Sequence, residues 1–527
     1  MSGLRYAFSL SKHEVAEAEP SGTVRLIGTT QITRTPPPSL SPSDPLNWPQ
    51  WRKTTILLLM SLYCFTANFG SAALAPALQL LLPIYHGTQT FSTLSHLIAV
   101  NVLLIGVSNI FWVPLADTFG RRGVLIVAMA VAVGASVWCG QAGSFEGLLA
   151  ARAVQGVGFG PADSIAASVL GEVFFVHERG RAMTIYTIFL VGGLCGGYIA
   201  GIQGYRYIFW ITTALLAFVL LGTMFFVAET SFDREAQFLV ERESGGLRSG
   251  ELFGDEKTAN VEMIERVSPS SRLNVDRETF TFAQSLRVGV YRGHFLRNFL
   301  APWLSLAFPG TWIVMLHYGG LLGGLVTISI VGPQFLAMPP YLWGNNAGLI
   351  NIGGLTGCIL GGLLNYLLSD RLALRSSKTR SSTQQGFFEP ESRLPTIFPF
   401  LFLATTGIWT FGFSAQSGTE KAWVGMCVGY AMVGAGITGI PSLGFGYIID
   451  AYHPIAASCF VMTTISRSLV SFAWTYFVGD WVAHAGPAVP FGIFGGIMGV
   501  FALLTVPFWW WGKRLRIATQ GLLPREE

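Results

Sequence analysis

The sequence predicts an all-α membrane protein whose twelve transmembrane helices form two pseudo-symmetric six-helix bundles. Composition is the first observation: 51% of the 527 residues are hydrophobic and 12% are charged, which is about half the charged fraction of a typical soluble domain. The second is a series of twelve apolar runs, each long enough to cross roughly 30 Å of hydrocarbon as a helix. The third is a polar segment that separates the first six runs from the last six.

The chain divides into five regions around these runs. The predicted spans of the first half are 54–76, 93–116, 123–143, 147–170, 182–202 and 207–228, and those of the second half are 310–331, 345–368, 396–415, 422–447, 456–479 and 489–511. The regions are a disordered cytoplasmic N-terminal tail (1–53), an N-terminal bundle (54–228), a cytoplasmic central loop (229–309), a C-terminal bundle (310–512) and a cytoplasmic C-terminal tail (513–527). Within the central loop, 282–303 has the mixed Phe, Leu and Arg content of an interfacial helix, with an unstructured linker as the alternative.

Lysines and arginines predict the orientation of the chain, because cytoplasmic loops are enriched in them. With the N-terminus inside, 29 of the 33 basic residues lie on the cytoplasmic side, and only Arg206 and Lys421 lie outside. The remaining two, Arg152 and Arg467, lie within spans. We therefore expect a multi-pass protein of the plasma membrane, with both termini in the cytoplasm.

Motifs for other functions are absent from the sequence. It contains no GxxxxGK[ST] loop, which excludes ATP as the direct energy source, and no HExxH or GxSxG pattern of a membrane-embedded enzyme. The six cysteines lack metal-ligand spacing, so neither a metal nor a cofactor is expected. The basic residues do not cluster, so a nucleic-acid partner is not expected.

The loop after the second span carries a charged motif that reads VPLADTFGRR from Val113 to Arg122. It resembles the Gly-x-Leu-Ala-Asp-x-x-Gly-Arg-Arg loop of the major facilitator superfamily, with Val113 in place of the first glycine. An aspartate here suits hydrogen bonds from a helix N-terminus, and arginines suit carboxylates or lipid phosphates. The residues predicted to latch the cytoplasmic face are Asp117, Gly120, Arg121, Arg122, Glu172, Arg179, Asp370 and Arg371. Simple positive-inside anchoring is the alternative for Arg121 and Arg122.

Further strings resemble the fungal-type drug:proton antiporter-like branch of that family, from about residue 44 onward. They are DPLNW at 44–48, EVFFVHERGR at 172–181, SDRL at 369–372, FEPESRL at 388–394 and YIIDAY at 447–452. The fifth span departs from the pattern, because Gly193 stands where antiporters of the family carry the proline of a Gly-Pro-x-x-Gly-Gly kink. The signature for export is weaker as a result.

The fourth span contains two ionisable residues, Arg152 and Asp163. Its LxxxRxxQGxG string, from Leu148 to Gly158, resembles the second motif of the family, and a buried arginine is a functional candidate because hydrocarbon rejects an unpaired charge. On one continuous helix, Asp163 would lie within about 20° of the face of Arg152 and roughly 16 Å further along the axis. The two would share a polar path without touching, with Asp163 nearer the cytoplasm. The alternative is that Asp163 bonds a neighbouring helix and never titrates.

The second half has fewer polar residues within its spans. Arg467 lies near mid-membrane, and Asp163 is not assigned as its partner because we place it closer to the cytoplasm. A hydrogen-bonded core histidine is the alternative reading of His317, and packing is the alternative for Trp474. The residues predicted to form the pathway for substrate and protons are Arg152, Gln155, Asp163, His317, Tyr318, Asn345, Arg467 and Trp474.

The resemblance implies a monomeric secondary active transporter that moves a small organic solute by alternating access. If protons couple, it points to Asp163 as the proton carrier, and efflux is favoured over uptake. Expected partners are the solute, protons and membrane lipid. The charge of the solute stays open, because a buried carboxylate favours a cation and two buried arginines favour an anion. The alternative is a non-transporting nutrient sensor that signals through the central loop or the tails.

Overall fold

The computed structural model describes residues 2–11, 14, 24–25, 44–85, 90–174, 182, 186, 196–232, 295–378, 387–452 and 455–522. Its helices, labelled in chain order, are α1 (Ser2–Ser9), α2 (Gln50–Ala72), α3 (Leu78–Leu81), α4 (Phe91–Val107), α5 (Asn109–Phe119), α6 (Arg121–Gln141), α7 (Phe145–Phe159), α8 (Ile165–Val173), α9 (Gly196–Gln203), α10 (Arg206–Phe226), α11 (Phe295–Leu304), α12 (Pro309–Ala337), α13 (Ile350–Lys378), α14 (Leu394–Ser417), α15 (Ala422–Ala451), α16 (Ala456–Ala485) and α17 (Ala488–Thr519). A two-residue strand β1 (Val24–Arg25) pairs antiparallel with β2 (Phe387–Phe388).

The prediction of an all-α membrane protein is confirmed. Within the described ranges, nine helical stretches are long and apolar enough to cross a membrane. The eleventh predicted span corresponds to α16, which is not among these nine stretches. This helix is 30 residues long and carries the charged residues Arg467 and Asp480. The fifth predicted span, 182–202, is described mainly through α9, and its earlier part lies largely outside the described residues.

The fourth predicted span is broken, which corrects the expectation of one continuous helix. It consists of α7, a 3-10 turn at Gly160–Ala162 and α8. Pro161 lacks a backbone N–H and cannot extend the α-helical ladder, so the chain tightens into the turn at this point. Asp163 follows the turn directly, and its position relative to Arg152 is therefore not that of an eleven-residue helical repeat.

The two halves meet along α4 and α16, which pack against each other. Near one end of this pair, a Cβ atom built on Gly479 would lie 3.1 Å from the Cβ of Ser92. Near the other end of α4, a Cβ atom on Gly106 would overlap the side chain of Ser468 and lie 2.9 Å from the carbonyl oxygen of Thr464. Glycine at these positions lets the two helices approach closely.

An apolar layer joins the halves at the end opposite the loop of Gly120. One buried cluster contains Phe69, Leu74 and Leu78 of the first half together with Val331 and Leu336 of the second. Buried clusters of this kind exclude water, so this end of the interface between the halves is packed with hydrophobic side chains.

The tails are more structured than the sequence indicated. The N-terminal tail was expected to be disordered, yet α1 packs on α17, where Arg514 donates hydrogen bonds to the carbonyl oxygens of Ala7 and Phe8 at 3.2 Å each. At the other end of the chain, α17 continues to Thr519, past the predicted start of the C-terminal tail at 513. In the central loop, α11 covers the end of the expected interfacial helix, and 282–294 lie outside the described residues.

Candidate transport site

An ion pair between the two halves forms the centre of the candidate site. A terminal guanidinium nitrogen of Arg467 on α16 donates to Oδ2 of Asp163, which follows the break in the fourth span. The exposed fractions of the two side chains are 9% and 15%, so the pair is mostly buried but still accessible. The sequence analysis did not pair these residues, and the structure corrects it.

The break after α7 explains the position of the carboxylate. A tight turn frees backbone carbonyl groups that a continuous helix would satisfy, and such groups need partners inside a membrane. Two tyrosines supply them: the Tyr63 hydroxyl donates to the carbonyl oxygen of Gly158 at 2.7 Å, and the Tyr186 hydroxyl donates to that of Ala162. Asp163 caps this turn, so the two tyrosines hold the segment that carries its carboxylate.

Two further side chains contact the pair. The Arg467 guanidinium lies over the ring of Tyr318, 5.1 Å from its centroid, in a cation–π arrangement. The thiol of Cys64 lies 3.8 Å from Oδ1 of Asp163 and donates a weak hydrogen bond to it. The predicted residue Tyr318 is therefore part of the site, and the sequence analysis missed Tyr63, Cys64 and Tyr186, whose types alone give no signal in an apolar span.

Arg152 and Gln155 lie elsewhere in the N-terminal half. Arg152 is fully buried, with hydrogen bonds to the carbonyl oxygens of Gly70 at 2.6 Å and Ser71 at 3.0 Å. It also donates to the carbonyl oxygen of Leu97 at 3.1 Å and to Oε1 of Gln155 at 2.7 Å. The arginine thus stabilises the C-terminal end of α2, where the carbonyl groups and the helix dipole favour a cation. The structure does not bring it to the Asp163–Arg467 pair.

Two other predicted pathway residues, His317 and Trp474, make their contacts with α17 and not with the Asp163–Arg467 pair. His317 contacts α17, with Nε2 at 2.9 Å from both the carbonyl oxygen of Phe501 and the hydroxyl of Thr505, which is the core arrangement that we gave as the alternative. Trp474 stacks on Phe494 with ring centroids 4.2 Å apart. Asn345 lies in the 3-10 turn that precedes α13, and its side chain is outside the described part of the structure.

The charged loop is organised by Glu229, which the sequence analysis placed in the central loop without a role. Its carboxylate accepts hydrogen bonds from the backbone N–H groups of Arg121 at 2.9 Å and Arg122 at 3.1 Å, the first residues of α6. Glu229 therefore accepts from a helix N-terminus, a role for which the sequence analysis considered only Asp117. Gly120 has φ +89°, and a Cβ atom there would lie 2.5 Å from Glu229, so only glycine fits.

Arg121 and Arg122 of this loop contact a carboxylate and a backbone carbonyl group, respectively. Arg121 forms a salt bridge with Glu172 at 2.7 Å, and Arg122 donates to the carbonyl oxygen of Met224 at 2.7 Å. The contact between Arg121 and Glu172 brings two predicted latch residues together. Arg179 lies outside the described residues, and Asp370 and Arg371 lie on the last turns of α13 with side chains that are not described.

A second charged cluster lies in the C-terminal half. Two guanidinium nitrogens of Arg516 donate to the two carboxylate oxygens of Glu391 at 2.7 Å each, and Lys513 forms a salt bridge with Glu389 at 2.8 Å. The two glutamates belong to the FEPESRL string, so these contacts attach the segment before α14 to the end of α17.

Comparisons with known proteins identify similar chains over nearly the full length. A family model described as Major Facilitator Superfamily matches residues 60–473. Protein HOL1 of Saccharomyces cerevisiae is 24% identical, over 92% of this chain and 90% of its own, and Efflux pump vrtL of Penicillium aethiopicum is 24% identical, over 90% of this chain and 88% of its own. The xylose transporter XylE from E. coli, solved in a partially occluded inward open conformation, shares the fold with a TM-score of 0.59 and 13% identity, over 87% of this chain and 98% of its own.

Proposed function

Since the chain belongs to the Major Facilitator Superfamily and is a multi-pass membrane transporter, we propose that it is a secondary active carrier that moves a small organic solute by alternating access. The observation that carries this proposal is the ion pair of Asp163 and Arg467. It joins the two halves and is mostly buried, so a rearrangement of the halves around the site can break it and form it again.

The same pair supports proton coupling. Asp163 is the acidic partner of the pair, and a proton on its carboxylate removes the charge that holds Arg467. The groups that face it are Cys64 and Tyr63 of α2, Tyr186, Tyr318 of α12 and Arg467 of α16. Protonation therefore weakens the contact between the halves, which is what coupling to a proton gradient requires.

The proposed direction is export, across the plasma membrane, with both termini in the cytoplasm and the protein acting as a monomer. One relative at 24% identity is named an efflux pump, which supports this direction. The cluster of Glu229, Arg121 and Glu172 then lies on the cytoplasmic face. It ties the end of α10 to the start of α6 and to α8 within the N-terminal half, and its proposed role is to hold this end of that half in one state of the cycle.

The alternative is a nutrient sensor that binds a solute on the same fold without moving it. Solutes would first be found by a thermal-shift screen of the purified protein against organic cations, acids, zwitterions and lipophilic drugs. Counterflow of the labelled hit in proteoliposomes then separates the two functions. We expect exchange of the unmodified solute by the wild-type protein, and a loss of its pH dependence in Asp163→Asn. Binding without exchange favours the sensor, and retained pH dependence in the variant contradicts the proton role of Asp163.

A further inference from the structure

The ion pair leaves hydrogen-bonding capacity unused on both of its partners. Asp163 accepts from Arg467 and, weakly, from the thiol of Cys64, although a carboxylate can accept about four hydrogen bonds. Arg467 donates to Asp163, while its Nε has no partner among the described residues and its side chain is 9% exposed. A buried guanidinium usually satisfies its N–H groups. A buried donor without a partner and a carboxylate with spare acceptor capacity therefore meet at one contact between the halves.

From these spare groups, and resting on the proposed transport function, we infer that the site selects an aromatic solute that carries both an acidic and a basic group. The acid of the solute would receive hydrogen bonds from Arg467, and its ammonium group would donate to Asp163. Each charge of the solute meets the opposite charge of the protein, in the geometry that strengthens charge-assisted hydrogen bonds.

The net charge of the site disfavours a solute that carries a single charge. The pair itself is neutral, so a bound zwitterion leaves the site neutral. A bound cation or anion leaves one uncompensated charge in a mostly buried environment, which membrane interiors and protein cores tolerate poorly. The selectivity thus comes from the balance of the two residues rather than from either charge alone.

Tyr318 explains why an aromatic solute is expected. Its ring lies against the guanidinium of Arg467 and is only partly buried, so it offers a surface for stacked or edge-to-face contacts beside the ion pair. Tyr63 and Tyr186 are buried, and their hydroxyls hold the carbonyl oxygens of Gly158 and Ala162 in the segment that precedes Asp163.

The inference also links the solute to the proton. A proton on Asp163 removes the acceptor of the solute's ammonium group, so proton and solute compete for one carboxylate. Competition of this kind is what exchange of a proton for a solute requires. The affinity for the solute should accordingly fall as the pH is lowered. The groups in contact with the pair are Cys64 and Tyr318, and Tyr63 and Tyr186 bind the neighbouring carbonyl groups.

Three indole compounds test the inference directly on the purified full-length protein. L-Tryptophan carries both groups, tryptamine lacks the acid and indole-3-propionate lacks the amine, while the ring is unchanged. Dissociation constants would be measured at neutral pH by thermal shift and by isothermal titration. We expect tryptophan to bind at least about tenfold more tightly than either analogue, a difference that corresponds to about 1.4 kcal/mol.

The charge variants give opposite predictions. Asp163→Asn leaves Arg467 positive and should shift the preference to indole-3-propionate, whereas Arg467→Gln leaves Asp163 negative and should shift it to tryptamine. Gly134→Ala is the matched control, because nothing lies within 4 Å of a Cβ atom at that position, and it should keep the wild-type order. If either variant fails to fold, the order measured for the wild-type protein still decides.

Binding of a single-charge analogue as tightly as tryptophan, an unchanged order in both variants, or no binding of any of the three compounds overturns the inference. The transport proposal fails separately. If tryptophan binds in the expected order but is not exchanged in proteoliposomes, the inference stands and the carrier function falls. If another solute is exchanged while the indoles do not bind, the carrier function stands and the inference about the solute falls.

Discussion

Asp163 and Arg467 depend on each other, because each compensates a charge that the surrounding bundle would otherwise reject. Asp163→Asn and Arg467→Gln should each lower the melting temperature of the purified protein, and the double variant should recover part of the loss. Removal of one partner leaves a buried charge, whereas removal of both leaves none. A double-mutant cycle should give a coupling free energy of about 2 kcal/mol.

Lys513→Gln and Glu389→Gln form the control cycle. This ion pair is buried to a similar degree but lies within the C-terminal half, so its loss should also lower the melting temperature while leaving solute exchange unchanged. Additive effects of Asp163→Asn and Arg467→Gln on melting would contradict the contact between the halves.

Sequence reasoning identified both members of the pair but not their contact. Arg467 and Asp163 stood out because charges are rare in apolar spans, and Tyr318 stood out beside them. The two residues are separated by 304 positions in the chain, and their distance depends on the break at Pro161 and on how the two bundles dock. Neither the break nor the docking of the two bundles can be derived from a local sequence pattern. His317 was also predicted to belong to the pathway, but its imidazole is hydrogen-bonded to Phe501 and Thr505 of α17 instead.

At the scale of single helices, the crossing of α4 and α16 depends on Gly106. Gly106→Val should abolish most solute exchange, because the new side chain would overlap Ser468 and crowd the carbonyl oxygen of Thr464. Overpacking of this kind costs about 1–3 kcal/mol. Exchange in proteoliposomes and melting temperature measure the effect.

Two further tests show whether the loss of exchange in Gly106→Val results from the altered crossing of α4 and α16. Gly134→Ala places a methyl group in open space on α6 and should leave exchange unchanged. Gly106→Ala combined with Ser468→Gly should recover part of the activity that Gly106→Ala loses, since the second change removes the overlapping side chain. Full activity of Gly106→Val would show that α4 and α16 need not approach closely.

Glu229 is the second feature at this scale, because its carboxylate caps the N-terminus of α6. Glu229→Gln should destabilise the protein by about 1 kcal/mol, since it removes a negative charge from the positive end of the helix dipole. Glu229→Asp keeps the charge and should lose less. Melting temperatures at low and high salt measure the effect, which should shrink as salt screens the dipole. Equal melting temperatures for the three proteins would contradict the capping role.

Helix positions were largely predictable from apolar runs, but their ends and breaks were not. The expected spans overlap the observed helices where these are described, with ends that differ by a few residues, because hydrocarbon thickness sets their length. α17 extends to Thr519 because Lys513 and Arg516 find carboxylate partners in Glu389 and Glu391. A count of apolar residues cannot register such contacts, and it therefore ended the helix too early.

For the whole molecule, the sequence indicated two halves through the polar segment between the sixth and seventh spans. The resemblance to a known family then supplied the expected fold, and the family match over residues 60–473 agrees with it. What could not be predicted is which helices form the contact between the halves, because close packing of α4 against α16 relies on Gly106 and Gly479 among many glycines of equal appearance.

A disulfide between the halves tests the central claim, alternating access across this contact, most directly. Ser92→Cys with Gly479→Cys places two Cβ atoms about 3.1 Å apart, near the range of about 3.5–4.5 Å that disulfides adopt. Ser414→Cys with Gly425→Cys is the matched control, with 2.9 Å between the corresponding atoms and both residues in the C-terminal half. Solute counterflow in proteoliposomes would be measured before and after oxidation. We predict that the Ser92–Gly479 crosslink stops counterflow, that reduction restores it, and that the control crosslink has no effect. Undiminished counterflow through the crosslinked halves would contradict the account.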